Sequence, residues 1–256
     1  MDLKELPSRA FARHPWEIVR ADFFLRILRD HLRDGPLRAL DMGAGDGYFA
    51  ERLLAGLPIA DHVTCFDLGY DADFLAARAR PRDGIAFTAA PPSDNYGLVL
   101  LLDVLEHADD DRALLAEAVA RAVKPGGWLL ASVPAHPALF SHHDVRLGHR
   151  RRYAPAELCA LASGSGLDLV AHGQLFSALL LPRALTKLTE AARGMKRDAA
   201  SVPGHIETAL GTWHHGVMVS KAVVAALNLD AAGSRLAARW RLPLPGLSTW
   251  VLARRP

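Results

Sequence analysis

Cysteine is scarce: the 256 residues hold two, Cys65 and Cys159, far apart and each inside an apolar stretch. A disulfide framework is therefore not expected, and a reducing, cytoplasmic setting is. An excess of one charge is also missing. Thirty basic and 28 acidic side chains leave a net charge of +2, too mild for a general nucleic-acid binder, and no DNA or RNA module is recognisable. The N-terminal stretch has no hydrophobic signal core. The longest apolar runs, such as LVLLL and ALLLP, are far too short to span a bilayer. No internal repeat or low-complexity tract appears. With half its residues hydrophobic and 23% charged, the chain reads as an ordinary soluble globular protein.

Its apolar pattern alternates between two periods. Helical spacing runs from Trp16 to Leu32 and stops at Gly35-Pro36. LRALDM then reads as a buried strand and GYFAERLLAGL as a helix. HVTCFDL, GIAFTA, GLVLLLD and GWLLASVP read as further strands, with helices at DADFLAARAR and DDRALLAEAVARAV. The KPGG at residues 124–127 separates the last of these helices from its strand. APAELCALASGSG is a helix with proline in its first turn, and LDLVAHGQLF and STWVLARR complete seven strands. This order predicts an α/β fold, a doubly wound, mainly parallel seven-stranded sheet. Residues 1–256 are expected to form one domain, with 1–35 as an N-terminal helical cap. The stretch 177–246 is too long for an ordinary connection. It is expected to be a helical insert or lid, broken at Pro182, Pro203-Gly204 and Pro243.

In such sheets ligands bind beyond the carboxyl ends of the strands, where strand order reverses. The turn DMGAGDG follows the first strand there. A dinucleotide site needs G-x-G-x-x-G, and its third glycine would fall at Tyr48. The carboxylates Asp41 and Asp46 flanking the turn would repel a pyrophosphate and suit a ligand with a cationic amino-acid end. An NAD-type oxidoreductase of the same fold is thus the weaker alternative, and a noncatalytic cofactor-binding protein another.

ALDMGAGDGYFA, the acidic strand end at Asp67, LVLLLDVLEH and VKPGGWLLASVPA together resemble the class I S-adenosylmethionine-dependent methyltransferases, in order and spacing, over roughly residues 37–135. The resemblance implies a Rossmann-like methyltransferase fold, S-adenosyl-L-methionine as cofactor and S-adenosyl-L-homocysteine as product. It implies that the backbone at Gly43 and Gly45 lies against the methionine part, with Asp41 in the same site. It further implies that Asp67 accepts hydrogen bonds from the ribose hydroxyls, and that Asp103 and Val104 line the sulfonium side. Leu68 and Ala90 complete the expected cofactor contacts. The family's acidic residue after the third strand is absent, leaving adenine to the Ala90 main chain, Ser93 or Asp94.

The segment from His136 to Tyr153 crowds four histidines, an aspartate and four arginines onto the substrate side of the fold. Neutral histidine is the natural general base for a hydroxyl or amine nucleophile. His143 is the first candidate and His149 the second, with Asp144 as their partner; alternatively Asp144 only pairs with an arginine and His149 only orients the loop. A zinc site from His142, His143, Asp144 and His149 is disfavoured because adjacent histidines seldom share a metal, and no metal is expected. His107, His136, Arg151, Arg152, Tyr153 and Trp16 are candidate substrate contacts, and Trp16 is equally a core residue. The expected reaction moves a methyl group to an oxygen or nitrogen of a small-molecule acceptor, glycosylated or lipid-linked among the options. An amphipathic membrane-surface patch in the 177–246 insert is a further expectation, and oligomeric state is left open.

Overall fold

LRALDM forms β1 (Leu37–Met42), an interior strand of the sheet. β2 (Ala60–Phe66) and β3 (Ile85–Thr88) lie on one side of it, and β4 (Tyr96–Leu102), β5 (Val123–Pro134), β7 (Ser248–Arg254) and β6 (Asp168–Leu175) on the other. The computed structural model describes residues 13–33, 35–78, 84–92, 95–192, 213 and 215–256. β7 alone runs against its neighbours. The expected seven strands and mainly parallel sheet are therefore observed.

Period-two alternation divides the buried side chains between two faces. Ala39, Leu98, Leu100, Leu130 and Trp250 face α1 (Pro15–His31), α2 (Tyr48–Gly56) and α8 (Val217–Arg239). Leu40, Val99, Leu101, Leu129 and Val251 face α4 (Asp111–Ala122) and α6 (Pro155–Gly164). Strands buried on both sides have to read as unbroken apolar runs, which is why GLVLLL was legible. Trp250 anchors the first face, with Phe23 and Phe24 edge-on at 5.6 and 6.5 Å.

Two expected breaks are not breaks. The KPGG stretch lies inside β5, where Val123 already pairs with Tyr96 and the register shifts before Leu98. Gly126 takes φ +72°, so glycine here supplies a bulge rather than a stop. Pro182 sits in the first turn of α7 (Leu180–Ala192), where its missing N–H costs nothing. Pro203-Gly204 lies outside the described residues, and α8 ends before Pro243.

β1 and β4 are neighbours whose connections leave in opposite directions, so the crevice at their carboxyl ends is the switch point. α1 is capped by His14, whose side chain accepts from the Trp16 N–H at 3.3 Å. It is tied to this end of the sheet by ion pairs from Arg13 to Asp46 and from Arg20 to Asp103.

Candidate active site

The glycine turn closes on the end of β2. The N–H groups of Gly43 and Ala44 both donate to the Phe66 carbonyl, at 2.8 and 3.2 Å. Gly43 holds φ +71°, and a Cβ there would stand 2.7 Å from Val104 Cγ2. Only glycine meets both demands. Asp67, just beyond β2, braces the turn: Oδ2 accepts from the Gly45 N–H at 3.0 Å and Oδ1 from the Gly69 N–H at 2.8 Å. Each oxygen keeps acceptor capacity for one more donor. Asp41 is buried at the end of β1, and desolvation pushes its pKa up to about 7, partly opposed by Arg20.

Beyond β4 the chain turns through Asp103, at φ +60°, into a 3-10 turn at Leu105–His107. Asp103 is held by its N–H on the Ser132 carbonyl at 2.9 Å, by the Ser132 hydroxyl at 3.3 Å and by Arg20. Arg20 in turn stacks on Trp16, 4.7 Å from the ring centroid. Glu106 is fully buried, and neither carboxyl oxygen has a hydrogen-bond partner among the described residues. Burial raises its pKa to about 8.

The histidine-rich segment folds around one carboxylate. Ser141 caps the short helix α5 (His142–Arg146), with Asp144 returning a bond to the Ser141 N–H at 2.9 Å. Asp144 is fully buried, and its other donors are His149 Nδ1 at 3.1 Å, Arg152 Nε at 2.8 Å and Arg183 Nη2 at 2.7 Å. Burial alone would raise its pKa; the His149 bond and the two guanidinium groups instead hold it well below the ordinary carboxylate range. Ionised, Asp144 can only accept, so His149 Nδ1 carries a proton, and in the neutral ring the lone pair is on Nε2. That Nε2 lies 3.9 Å from Glu106 Oε1, and the His107 ring stands edge-on to His149 at 4.9 Å.

Among the expected residues, then, Gly43, Gly45, Asp67, Asp103 and Val104 converge at the switch point, and Asp144, His149 and His107 lie beside them through Glu106. His143 takes a different environment: half-buried, its ring has a pKa lowered to about 4, with the Arg183 charge adding to desolvation. Arg152 is committed to Asp144 and the Ala135 carbonyl. Arg151 binds the Ala108 and Asp109 carbonyls, and the Tyr153 hydroxyl donates to Asp111 at 2.7 Å. His136 takes φ +63° and donates its N–H to the Tyr153 carbonyl. Leu68 is 82% exposed. Ala90 donates its N–H to the Thr88 hydroxyl at 3.0 Å, and Ser93 and Asp94 lie outside the described residues. The four-residue zinc grouping does not assemble, since both Asp144 oxygens are occupied by guanidinium groups. Glu106, His107 and His149, however, bring ligand atoms within 4.8 Å of one another.

Two contributors escaped the sequence reading. Arg183 comes from α7, thirty-nine residues beyond Asp144, and the only hint was a cation within a leucine-rich helix. Arg13, which precedes α1, pairs with Asp46, so this acid is not free for a ligand's ammonium group in the way its placement suggested.

The sequence pattern of the methyltransferase domain family matches residues 10–177. A ubiquinone biosynthesis O-methyltransferase of Aeromonas salmonicida (strain A449) is 26% identical over 156 residues, covering 51% of this chain and 62% of that protein. The match thus spans less than two thirds of the relative's length. The fold is similar to that of the [4+2]-cyclase SpnF, with a TM-score of 0.57 at 17% identity over 97% of this chain and 85% of the other. It is similar as well to the N-methyltransferase NodS of Bradyrhizobium japonicum WM9, solved with S-adenosyl-l-homocysteine. That TM-score is 0.52 at 16% identity, over 95% and 89% of the two chains. At these identities the likeness speaks for the fold.

Proposed function

This chain belongs to the methyltransferase domain family, as a class I S-adenosylmethionine-dependent enzyme, and we propose that it methylates a hydroxyl oxygen of a small, lipid-linked acceptor. The cofactor fits the switch point. The glycine turn packs so closely on the end of β4 that a Cβ at Gly43 would run into Val104, and Asp67 has one free acceptor position on each oxygen for two vicinal hydroxyls. Asp41 stands at the adjoining strand end, while Asp103 and Arg20 are paired with each other and would share that pairing with a zwitterionic amino-acid end. When bound, S-adenosylmethionine supplies a methyl group carried on a positively charged sulfur.

A hydroxyl of ordinary pKa is a poor nucleophile until its proton has somewhere to go. His149 is the base in this reading, because Asp144 fixes its tautomer and orients the ring with Nε2 available. The imidazolium that forms is hydrogen-bonded to the ionised Asp144 at 3.1 Å, which favours its charge. His143, with its lowered pKa and no carboxylate hydrogen-bonded to its ring among the described residues, is the poorer base. Asp103 and Glu106 sit three residues apart on the same turn, which sets the base beside the cofactor site. Orientation of the two reactants then carries much of the barrier reduction.

The observation behind this reading is the Asp144–His149 pair adjoining the end of β4. The O-methyltransferase name of the Aeromonas relative supports oxygen as the acceptor atom, and exposed leucines of α7 support an apolar tail. The test is transfer of labelled methyl from S-adenosylmethionine to a panel of phenols and alcohols with and without an isoprenoid or acyl tail. His149→Gln is expected to lower kcat by about 100-fold or more while leaving S-adenosylhomocysteine affinity unchanged. An unchanged kcat removes His149 from the mechanism.

A second reading rests on the clustering of Glu106, His107 and His149. A divalent cation held there would bind the acceptor oxygen and lower its pKa, replacing the base. Chelator treatment separates the two: full activity after chelation supports His149, and loss restored by added magnesium or zinc supports the cation.

A further inference from the structure

α7 is inside out. Arg183, Lys187 and Glu190, spaced along one face, turn toward the protein: Arg183 holds Asp144 and Ser141, Lys187 donates to the Ala138 carbonyl, and Glu190 accepts from the His142 N–H. The opposite face presents Leu181, Leu185 and Leu188, each more than half exposed. A surface helix of a soluble protein has the reverse arrangement.

α8 adds a second outward apolar face. Its inner side buries Leu227, Ala231, Ser234 and Ala237, and the helix packs on α1 and β6. Its outer side carries Met218, Ala222, Ala225, Leu229, Ala232 and Leu236, all exposed and repeating at steps of four and three. Met218 and Leu229 are nearly fully exposed, at 79% and 77%. The row continues past the helix end into Trp240 and Leu242, 68% and 61% exposed. α8 is long and apolar enough to cross a membrane, yet its inner face is engaged with the sheet. It is placed to lie on a bilayer, not to pass through one.

Charge selects the occupant. From residue 177 to 192 and from 215 to 247 no aspartate or glutamate is exposed: Glu190 caps α5, and Asp230 accepts from the Ala178 N–H. The exposed ionic groups around the α8 row are cations, Lys221, Arg239 and Arg241. Asp30 of α1 reaches α8 but is paired there with Arg235 at 3.2 Å, so leucine rows with a terminal tryptophan and a net cationic rim match an anionic lipid surface, where apolar side chains enter the acyl boundary and cations meet headgroups. A second copy of this chain would bring the same cations toward one another.

We propose that the outer faces of α7 and α8 dock this protein on an anionic membrane surface. The docking surface stands on its own geometry and does not depend on the reaction proposed above. Because the inner face of α7 grips Asp144, docking sets the His149 loop one helix diameter, roughly 10 Å, from the lipid.

The test is co-sedimentation of the full chain with phosphatidylglycerol-containing vesicles and with pure phosphatidylcholine vesicles, at low and high salt. Binding is expected to the anionic vesicles only, and to weaken with salt. Leu229→Gln/Leu236→Gln and Leu181→Gln/Leu185→Gln are each expected to lower partitioning by about tenfold or more, as is Lys221→Glu/Arg239→Glu/Arg241→Glu. All three variants are expected to keep the wild-type melting temperature and S-adenosylhomocysteine affinity, which establishes that they fold. Two results overturn the proposal. One is no partitioning of the wild type into anionic vesicles. The other is a stable dimer in light scattering that Leu229→Gln/Leu236→Gln converts to monomer, which assigns the α8 face to a second copy.

Discussion

Asp144→Asn is the most informative single change, because it leaves shape almost intact and removes one charge. Asp144 is fully buried and takes four donors between 2.7 and 3.1 Å, two of them from guanidinium groups. An asparagine has one acceptor oxygen and one NH2 group, so however the amide is turned, an N–H faces donors. Arg152 and Arg183 would be left with their charges buried and uncompensated. Losing one partner of a buried ion pair costs about 3–5 kcal/mol. At about 2 °C per kcal/mol for a domain of this size, calorimetry at pH 7 should show a melting temperature lower by about 6–10 °C. The pH dependence has a definite sign. Asp144 has a depressed folded-state pKa, so its stabilisation is present above the unfolded carboxylate pKa, near 3.9, and is lost as pH falls through the folded value. The gap between wild type and variant should therefore narrow in acid. A variant melting within about 2 °C of wild type at pH 7 would mean that the arginines find other partners, and that Asp144 does not organise the loop.

Gly43→Ala forces a side chain into φ +71° and against Val104; titration calorimetry should show S-adenosylhomocysteine affinity lower by at least about tenfold. Asp67→Ala removes the acceptors assigned to the ribose and two braces of the turn, with affinity expected to drop by about 100-fold; an unaltered affinity places the nucleoside elsewhere. Glu106 has a folded pKa raised from 4.5 to about 8 by burial. It therefore destabilises the fold progressively as pH climbs between those values, and Glu106→Gln should gain on wild type in melting temperature over that range. A gap independent of pH contradicts a buried, unpaired carboxyl.

Where the sequence was legible, one local rule sufficed. β4 and β5 are buried on both faces, and no hydrophilic residue interrupts GLVLLL. The glycine turn was legible because positive φ at Gly43, Gly45 and Gly47 leaves glycine the cheapest choice, and Tyr48 ruled out the dinucleotide spacing. Errors arose where one residue type serves two purposes. Glycine at 126 reads as a stop but makes a bulge, and proline at 182 reads as a break but opens a helix. The candidate base was only half legible. Composition marks the segment 136–153, but which of its histidines Asp144 orients depends on ring placement, which sequence does not give. Arg183 was invisible, because nothing local distinguishes an inward arginine of α7 from a solvated one.

The distribution of charge explains why the site needs helices that the sheet does not. Carboxylates come from the sheet's strand ends and the loop after β5: Asp41 and Asp103 from β1 and β4, Asp144 from the loop. Several would be costly if left alone, as the raised pKa of Asp41 testifies. The cations that meet them come mostly from appended elements. Arg13 and Arg20 belong to α1 and its approach, and Arg183 belongs to α7. Unlike Arg152, which is fixed by its own loop, these arginines reach the site only when their helices are docked. Closing α1 and α7 over the sheet is therefore an electrostatic event as well as an apolar one. Since α7 grips Asp144 inward and presents leucines outward, whatever engages those leucines also bears on the orientation of His149.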